Sequence, residues 1–384
     1  MKKVVKYICY YDIKKEGRRK RGYPLSSAPV IESKAKAMAA AGFKVDIISM
    51  SSVAEDLYCL GKKEEIFPDI RLITFLSVMH RGIFSKIADY VLLRLQLLYC
   101  IIFKIKKDDI VLVYHSLGYM KLIKFLKGLK RFRLILEIQE LYGDVLNNKN
   151  IRKKEMRYAG SADAYIFPTK ILEQIVNKNR KQFIIAHGAY QVERVRVLEQ
   201  KDKRSFKPGI IHCVYAGTLD FRKGSWNAVF AAKFLPDNYC IHIIGFGSNK
   251  QIEDIKKHIR EVNSVSRANV VYEGRFEGED YIRFIQQCDI GLCTQGVDEP
   301  FNNTSFPSKI LSYLGNGLRV VSVRIPAIEE SKVKELLYFY DDPSPESIAR
   351  AILMIKLEDQ YNYREKICFL QKGLVQELKE LLGD

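Results

Sequence analysis

The sequence predicts an α/β protein made of two Rossmann-like domains, each a doubly wound parallel sheet, that face each other across a cleft. Short runs rich in Val, Ile and Leu alternate with helical patterns along the 384 residues. Several runs are almost continuously apolar, as in parallel strands that helices cover on both faces. A polar stretch near residue 200 divides this pattern into two halves. Because strand-then-helix alternation is typical of doubly wound sheets, we expect domains over 1–200 and 201–384, the last helix being free to pack back on the first domain.

The apolar runs and the helical periodicity place the individual elements. In the first half they predict strands over 4–10, 44–50, 71–76, 110–115, 133–138, 164–167 and 183–186. Helices are predicted between them over 31–41, 117–129 and 170–177. The second half predicts strands over 211–215, 240–244, 269–272, 289–293, 319–323 and 337–340. The polar residues 199–204, followed by Pro208 and Gly209, predict a linker.

Composition excludes several classes of protein. With 22 Tyr and 20 Phe, the chain is neither disordered nor fibrous. No apolar run reaches the roughly 18 residues of a spanning helix, and the opening residues lack the apolar core of a signal peptide, so we expect a cytoplasmic protein. The eight cysteines contain no C-x-x-C pair. They predict reduced thiols without a zinc ribbon or a disulfide framework.

The net charge of +18 belongs entirely to the first half of the chain. Residues 1–200 carry 38 Lys or Arg against 20 Asp or Glu, whereas residues 201–384 carry 25 of each kind. Such a one-sided field attracts anionic partners such as phosphorylated substrates or lipid headgroups. General solubility is the alternative explanation. We find no nucleic-acid motif and expect no nucleic-acid partner.

Open α/β sheets bind ligands beyond the carboxyl ends of their strands, so the loops there are candidate sites. The loop after the strand at 211–215 combines Gly217 and Thr218 with the cations Arg222 and Lys223, just before a helix. Positive charge at a helix N-terminus favours a phosphate. An ordinary turn is the alternative.

Three further loops follow the next strands. The turn Gly245-Phe246-Gly247 lacks the third glycine of the dinucleotide fingerprint. The following loop carries Arg275 and Phe276. In the fourth loop, Ser305 is predicted as an N-cap and Pro307 as a first-turn residue, so that free amides and Lys309 could receive a diphosphate. A plain capped helix is the alternative.

Taken together, these four segments resemble the glycosyltransferases of the GT-B class, in particular the family-4-like group of bacterial cell-envelope enzymes. The resemblance covers the whole chain and rests on A-G-T-L with R-K-G over 216–224, I-G-F-G over 244–247, E-G-R-F over 273–276 and F-P-S-K-I-L-S-Y-L-G-N-G over 306–317. It implies a donor site for a UDP- or GDP-linked sugar, with no further cofactor. The implied donor-binding residues are Gly217, Thr218, Gly245, Phe246, Gly247, Arg275, Phe276, Thr304, Ser305, Phe306, Pro307, Ser308, Lys309 and Ser312.

This sequence departs from the family pattern at three of these positions. Thr304 and Ser312 stand where the group often has two glutamates. Thr218 stands where it has a phosphate-binding arginine, so Arg222 and Lys223 would carry that charge.

The first half would then bind the acceptor. Glu140, close after the strand at 133–138, stands near the place where related enzymes carry a His-Asp pair, and its carboxylate could orient or deprotonate an acceptor hydroxyl. The basic loop 17–24 could bind a diphosphate or anionic lipid; a solvated loop is the alternative. The apolar stretch 83–105 is either a membrane-interface helix or a buried one. The implied acceptor-binding residues are Gly22, Tyr23, His115, Tyr142 and His187.

The resemblance implies transfer of a sugar from a nucleoside diphosphate to a glycan acceptor in bacterial surface polysaccharide synthesis, with retention at the anomeric carbon. The acceptor would be lipid-linked, on the inner face of the cell membrane. Glu140, Arg222 and Lys223 are the predicted catalytic residues. We expect no metal, because the sequence has no D-x-D triplet. A non-catalytic GT-B partner of another transferase and a nucleotide-sugar epimerase are the alternatives.

Overall fold

The computed structural model describes residues 2–13, 20–24, 26–54, 56–107, 109–196, 206–297, 302, 304–359 and 362–383. The predicted linker at 199–204 lies outside the described residues, as does most of the basic loop before residue 20. The chain divides into two compact units, Met1–Ala189 with Gln371–Asp384, and Tyr190–Leu370. The first unit therefore ends at residue 189, where the sequence suggested 200, and it includes the C-terminal residues.

The first unit contains an eight-stranded sheet and a small two-stranded one. Its strands are β1 (Val4–Cys9), β2 (Lys44–Ser49), β3 (Tyr58–Cys59), β4 (Lys62–Phe67), β5 (Ile70–Thr74), β6 (Ser77–Val78), β7 (Ile110–Tyr114), β8 (Arg133–Glu137), β9 (Ala164–Phe167) and β10 (Phe183–Ile185). The large sheet has the order β10-β9-β8-β7-β1-β2-β5-β4. All its strands are parallel except β4, which runs antiparallel to β5.

Helices connect these strands. They are α1 (Ala28–Ala40), α2 (Ile83–Lys104), α3 (Met120–Lys130), α4 (Tyr142–Val145), α5 (Lys149–Ala159) and α6 (Lys170–Val176). Helix α1 begins three residues before the predicted residue 31, because Pro29 lies in its first turn, where a missing N–H costs nothing.

The second unit contains one six-stranded, entirely parallel sheet. Its strands are β11 (Ile211–Thr218), β12 (Tyr239–Phe246), β13 (Asn269–Gly274), β14 (Ile290–Cys293), β15 (Arg319–Val323) and β16 (Leu337–Tyr340). The order β13-β12-β11-β14-β15-β16 is the Rossmann order, in which the first strand lies in the middle. The helices are α7 (Ser225–Ala231), α8 (Asn249–Asn263), α9 (Gly278–Ile285), α10 (Lys309–Asn316), α11 (Pro326–Glu329) and α12 (Pro345–Leu353), with 3-10 turns at Phe221–Lys223, Ala232–Phe234 and Lys334–Leu336. The last helix, α13 (Tyr363–Gly383), begins in the second unit, and its residues from Gln371 onward belong to the first.

The structure confirms the predicted fold class, two doubly wound α/β sheets. The parallel strands are buried because their apolar side chains lie under helices on both faces; in β7, Ile110 to Val113 are buried along the whole run. The sequence missed β4, whose residues K-K-E-E-I-F are mostly charged and alternate in exposure. A charged antiparallel edge strand carries no apolar run, so the pattern that found the other strands does not detect it.

Candidate functional site

The strand order of the second sheet reverses between β11 and β14, and doubly wound sheets bind ligands at such a switch point. Hydrogen bonds tie together the loops that follow these two strands. The Thr294 hydroxyl donates to the Gly224 carbonyl at 2.7 Å, and the Asn227 amide donates to the Thr294 carbonyl at 3.3 Å. The two loops therefore hold each other in place at the carboxyl edge of the sheet.

Two glycines are required by close backbone contacts here. Gly224 has φ 86°, and a Cβ at this position would lie 1.9 Å from the Thr294 carbonyl oxygen. A Cβ at Gly245 would lie 1.8 Å from the Gly217 carbonyl oxygen. A side chain at either position would push the site loops apart.

The first two predicted donor residues lie in the sheet itself. The sequence placed Gly217 and Thr218 in a loop after residue 215, which is wrong. They pair with Gly245 and Phe246 of β12, so β11 continues to Thr218. Glycine and threonine end the apolar run in the sequence, so the last residues of the strand are recognised only from their pairing with β12.

Lys309 is the first residue of α10, and its ammonium group reaches the end of β11. Nζ lies 4.0 Å from the centroid of the Tyr215 ring, and a Cβ at Gly217 would be 3.5 Å from it. Nζ is buried and has no hydrogen-bond partner among the residues that the structure describes. Burial lowers the pKa of Lys309 to about 8; the nearby Lys223 contributes to the lowering.

Two buried tyrosines fix the loops around Lys309. The Ala216 N–H donates to the Tyr313 hydroxyl oxygen at 2.8 Å and joins α10 to β11. The Tyr215 hydroxyl lies 2.8 Å from the Thr218 carbonyl and 3.1 Å from the Lys223 carbonyl, within reach of both acceptors. Neither tyrosine could be predicted as a site residue, since a buried aromatic residue in an apolar run carries no sign of its hydrogen bonds in the sequence.

The two predicted catalytic cations lie in the turn that follows β11. The Arg222 guanidinium is about half exposed and pairs with Asp220 at 2.7 Å, and this hydrogen bond lowers the pKa of Asp220. Lys223 is partly exposed and close enough to Lys309 to lower its pKa. The structure thus brings together Lys309 and Lys223, while the charge of Arg222 is shared with Asp220.

The start of α10 differs from the prediction. Ser308, and not Ser305, is the N-cap residue, and Pro307 precedes the cap instead of lying in the first turn. Ser308 makes no capping hydrogen bond with its side chain, and the Ile310 N–H donates to the Pro307 carbonyl at 3.1 Å. This bond closes a tight turn just before the helix, which begins at Lys309.

The remaining predicted donor residues of this segment differ in exposure. Thr304 and Phe306 are buried, Ser305 is partly buried, and Ser308 is exposed. Ser312 faces Tyr281 of α9, and the two hydroxyl oxygens lie 2.9 Å apart. Burial raises the pKa of Tyr281 to about 12, so this hydroxyl stays neutral at ordinary pH.

The loops after β12 and β13 come together around an aromatic ring. The Arg275 guanidinium lies 5.1 Å from the centroid of the Phe246 ring and also pairs with Glu277. Phe246 is 43% exposed, so this ring offers an open face at the edge of the sheet. Phe276 instead packs inward on Phe284, with the ring centroids 4.9 Å apart.

Two of the residues predicted to face the acceptor, Glu140 and Tyr142, follow the end of β8. Glu140 is half-buried. Burial together with the negative charge of Glu140 raises the pKa of Tyr142 to about 12. A carboxylate next to a neutral phenol is an arrangement that can accept a hydrogen bond from a sugar hydroxyl.

His115 follows β7 and is held by a buried carboxylate. Its Nε2 lies 2.7 Å from Glu155, which also accepts the backbone N–H of Tyr142 at 2.9 Å and of Gly143 at 2.6 Å. The Nδ1 of His115 is buried and has no hydrogen-bond partner among the described residues. The sequence did not single out Glu155, which lies in α5, far along the chain from β7.

In the basic loop, Arg21 does not serve as the anion-binding residue that the sequence suggested. Arg21 is 2% exposed and donates to the carbonyls of Ser51 at 2.9 Å and of Phe75 at 2.6 Å, so its guanidinium holds loops together and does not face an anion. Gly22 is exposed, and its N–H donates to the Ser52 carbonyl at 2.9 Å.

Tyr23 and His187 are the last two predicted acceptor residues. The Tyr23 ring lies near that of Tyr11, with centroids 6.2 Å apart. His187 is buried, and its Nδ1 lies 2.6 Å from the Pro168 carbonyl, to which it donates. His187 follows β10 and His115 follows β7, and two strands lie between β10 and β7 in the sheet, so the two histidines do not form one cluster.

The chain resembles solved structures along almost its full length. The apo structure of OtsA has a TM-score of 0.67 and 12% identity, over 99% of this chain and 98% of that chain. A UDP-forming α,α-trehalose-phosphate synthase from Burkholderia xenovorans in complex with glucose-6-phosphate has a TM-score of 0.65 and 12% identity, over 99% and 98%. HepE of Anabaena in complex with UDP and glucose has a TM-score of 0.63 and 11% identity, over 99% and 98%.

No family model matches the sequence, and no curated protein matches it. Among the described residues, no helix combines the length and the apolar character needed to cross a membrane. At identities of 11–12%, the structural similarity concerns the fold. The chain has the GT-B fold of these glycosyltransferases, with two Rossmann-like α/β domains.

Proposed function

We propose that the chain is a glycosyltransferase that takes a sugar from a nucleoside-diphosphate donor bound at the carboxyl edge of the second sheet. The proposal is supported by the fold and by one observation above all, the buried ammonium of Lys309 with no hydrogen-bond partner among the described residues. Burying an unpaired charge is costly, and a protein keeps one where a ligand supplies the opposite charge. A diphosphate between Lys309, Lys223 and the Gly217 backbone meets this requirement.

The same cations would stabilise the leaving group during the reaction. When the glycosidic bond to the diphosphate breaks, negative charge builds up on the leaving phosphate oxygens. Fixed cations in a site that excludes water stabilise this charge more in the transition state than in the ground state. Lys309 and Lys223 would act in this way, and Arg222 would join them when it exchanges Asp220 for the phosphate. The family-4-like motifs favour retention at the anomeric carbon.

A nucleotide panel tests the donor site. The purified chain is heated with UDP, GDP and their sugar conjugates, and a ligand that binds only the folded state raises the Tm. Turnover is then followed as release of free nucleoside diphosphate. Lys223→Ala and Arg222→Ala should each lower turnover by roughly tenfold or more. Lys256→Ala, an exposed lysine on α8, is the matched control. Unchanged turnover in both site variants would overturn the phosphate assignment.

For the acceptor, we propose a glycan carried on a membrane lipid, as in bacterial surface polysaccharide synthesis. The support is an apolar surface on the first domain, the α2–α3 surface, where α2 packs next to α3. Its exposed side chains are Ile83, Phe84, Ile87, Val91, Leu95, Tyr99 and Phe103 of α2 with Phe125 and Leu129 of α3.

The charges around this surface fit an anionic membrane. Lys86 and Lys104 near the two ends of α2, and Lys121 and Lys124 on α3, are all exposed. An amphipathic helix with exposed aromatic and aliphatic residues and flanking lysines is the pattern that lies in a lipid interface. The net charge of the first half adds attraction to anionic headgroups. Glu140 and Tyr142 are the acceptor-facing groups in this proposal.

Vesicle flotation tests the membrane contact. The full chain should float with vesicles that contain anionic lipid and lose binding as salt rises. Phe84→Ser combined with Leu95→Ser should abolish flotation, whereas Phe369→Ser, which removes an exposed phenylalanine elsewhere, should not. Equal flotation of both variants, or none of the parent chain, would remove the membrane from the proposal without touching the donor site.

A second candidate is a non-catalytic nucleotide-binding partner of another transferase. It is favoured by Thr304 and Ser312, which stand where family-4-like enzymes often have glutamates, and by the contact that engages Ser312 with Tyr281. Nucleotide binding without any release of nucleoside diphosphate, in the presence of acceptor lipids, would support this candidate.

A further inference from the structure

Three potential metal ligands lie side by side in the second domain, away from the donor site. His212 lies in β11, and Cys240 and His242 lie in the neighbouring β12. The register pairs His212 with Cys240. Residues two apart in a strand point to the same face, so Cys240 and His242 share a face, and His212 joins them because it is paired with Cys240. His212 and Cys240 are near the amino ends of their strands, whereas Lys309 contacts the carboxyl end of β11.

The cluster is compact and buried. His212, Cys240 and His242 are 5%, 7% and 1% exposed. One ligand atom from each of the three lies within 4.8 Å of the others, and His212 Nδ1 is 2.9 Å from His242 Nε2. Two nitrogens and a sulfur around a tetrahedral zinc ion are separated by about 3.5 Å, so small side-chain shifts would bring the three onto one ion.

The hydrogen bonds of His242 leave one of its nitrogens pointing at His212. Nδ1 of His242 lies 2.8 Å from Glu273 Oε1, and a ring N–H must be donated to a carboxylate. Nε2 of His242 then carries a lone pair in the neutral ring. A carboxylate behind the ring is the usual way in which a metal-binding histidine is oriented and its basicity raised.

Each neutral tautomer of His212 leaves at least one ring nitrogen without a favourable partner. With the proton on Nδ1, His212 donates to His242, but its own Nε2 is a buried acceptor without a partner among the described residues. With the proton on Nε2, two lone pairs face each other across 2.9 Å. A cation between the two bare nitrogens resolves the second arrangement.

Aromatic rings enclose the cluster. The Phe206 ring centroid lies 4.6 Å from that of His212 and 5.0 Å from that of His242, and Phe284 lies 5.4 Å from His242. Water is thus kept away from the side chains, which strengthens any charge interaction inside. Asp289 accepts the His212 backbone N–H at 2.8 Å, so two carboxylates, Asp289 and Glu273, lie close by to offset a positive charge.

We propose that His212 Nδ1, His242 Nε2 and the Cys240 thiolate form a binding site for a zinc-class divalent ion, with Glu273 orienting His242. The N₂S donor set suits Zn²⁺ and Co²⁺ and is a poor match for Mg²⁺ or Ca²⁺. Binding expels the thiol proton of Cys240 and any proton shared by the two rings, so protons are released to solvent as the ion enters. Because the ion would join β11 and β12 far from the switch point, it would stabilise the donor domain and take no part in sugar transfer.

Cobalt titration tests the site in the full chain. After dialysis against a chelator, Co²⁺ alone is added and the thiolate-to-cobalt charge-transfer band is recorded. The parent chain should take up about one Co²⁺ with tetrahedral spectra, Zn²⁺ should displace it, and saturation should raise the Tm. Cys240→Ser should lose the band, while Cys213→Ser, a buried cysteine of β11 outside the cluster, should keep it.

Glu273→Gln provides a test that does not depend on removing a ligand. It keeps the thiolate band but should weaken Co²⁺ binding by roughly 10–100-fold, as loss of an orienting carboxylate does at other metal sites. Absence of a band in the folded parent chain, or a band that persists in Cys240→Ser, would overturn the proposal and leave a proton as the occupant of the histidine pair. Turnover of sugar donor is not a readout, so failure here leaves the proposed function standing.

Discussion

The two domains each bury the ammonium group of a lysine, but one group is paired with a carboxylate and the other has no hydrogen-bond partner among the described residues. In the first domain, Lys34 of α1 lies 2.7 Å from Glu137 of β8, and both side chains are 0% exposed. Glu137 also accepts from Gln139 at 2.8 Å and from the Tyr7 hydroxyl, so its charge is fully matched. In the second domain, Lys309 has only the face of Tyr215 at 4.0 Å and no hydrogen-bond acceptor among the described residues.

We interpret the difference as that between a structural charge, Lys34, and the charge that we propose binds the donor, Lys309. A buried ion pair with all its partners is complete without a ligand, and its loss should be felt as instability. An unmatched buried cation destabilises the protein that carries it, so it is worth keeping only where a ligand brings the opposite charge. We therefore expect changes at Lys34 to affect folding, and changes at Lys309 to affect donor binding.

The largest effect should follow from Lys34→Met. The substitution leaves Glu137 buried without its cation, and breaking a buried pair in this way costs roughly 3–5 kcal/mol of the free energy of unfolding. Urea unfolding measures the loss. Lys34→Met combined with Glu137→Gln should recover part of it, because the unpaired charge is removed. A single variant as stable as the parent chain would mean that the pair is not buried as the structure has it.

Lys309→Met should show the reverse pattern. Loss of the cation from the donor site should reduce turnover by roughly 10²–10³-fold, the effect of removing one preorganised group that stabilises charge in a transition state. The free protein should become more stable at pH 7 by on the order of 2 kcal/mol, since an unpaired buried charge is gone. The Tm in the absence and presence of nucleotide measures both effects.

A matched lysine variant in the same domain keeps this test sharp. Lys233→Met removes an exposed lysine of the same domain and should change neither turnover nor Tm. A Lys309→Met protein that is less stable and still shifts its Tm with nucleotide would contradict the comparison, because Lys309 would then be a structural lysine.

The pH dependence of donor binding should be the next largest effect. The pKa of Lys309 is lowered to about 8 in the free protein, and a bound phosphate would raise it again. The protonated form binds, so nucleotide affinity should be level below about pH 7 and fall by up to tenfold per pH unit above pH 8. The same shift makes the free protein gain stability as the pH rises from about 8 towards the unfolded value near 10.5. Calorimetric titration of the nucleotide at several pH values checks this, and Lys309→Met should lose the slope.

The sequence could predict the fold, and it pointed to the loops where we propose the donor site. Apolar runs revealed the parallel strands, and glycines and cations after β11, β12 and β14 marked the carboxyl edge. These features are local: Gly224 and Lys309 stand out in the sequence because their residue types are unusual after a strand or at a helix start.

The sequence could not predict which charged side chains pair with each other. Lys34 and Glu137 are 103 positions apart, and no local pattern around either residue predicts that the two are paired. Arg21 looked like an anion-binding residue in a basic loop, although it binds backbone carbonyls. A lone charge in sequence is ambiguous because pairing depends on the tertiary fold, and this is why Lys309 could be distinguished from Lys34 only in the structure.

The smallest effect should follow from Gln139→Leu, which removes one of the donors to Glu137 and leaves Lys34 in place. Gln139 is half-buried, so water can partly replace its amide, and we expect a loss of about 1 kcal/mol in the free energy of unfolding. Urea unfolding of Gln139→Leu beside Lys34→Met measures how the stabilisation of Glu137 is divided. If Gln139→Leu cost as much as Lys34→Met, the amide and not the ammonium would be the main partner of the carboxylate, and the contrast with Lys309 would no longer rest on charge.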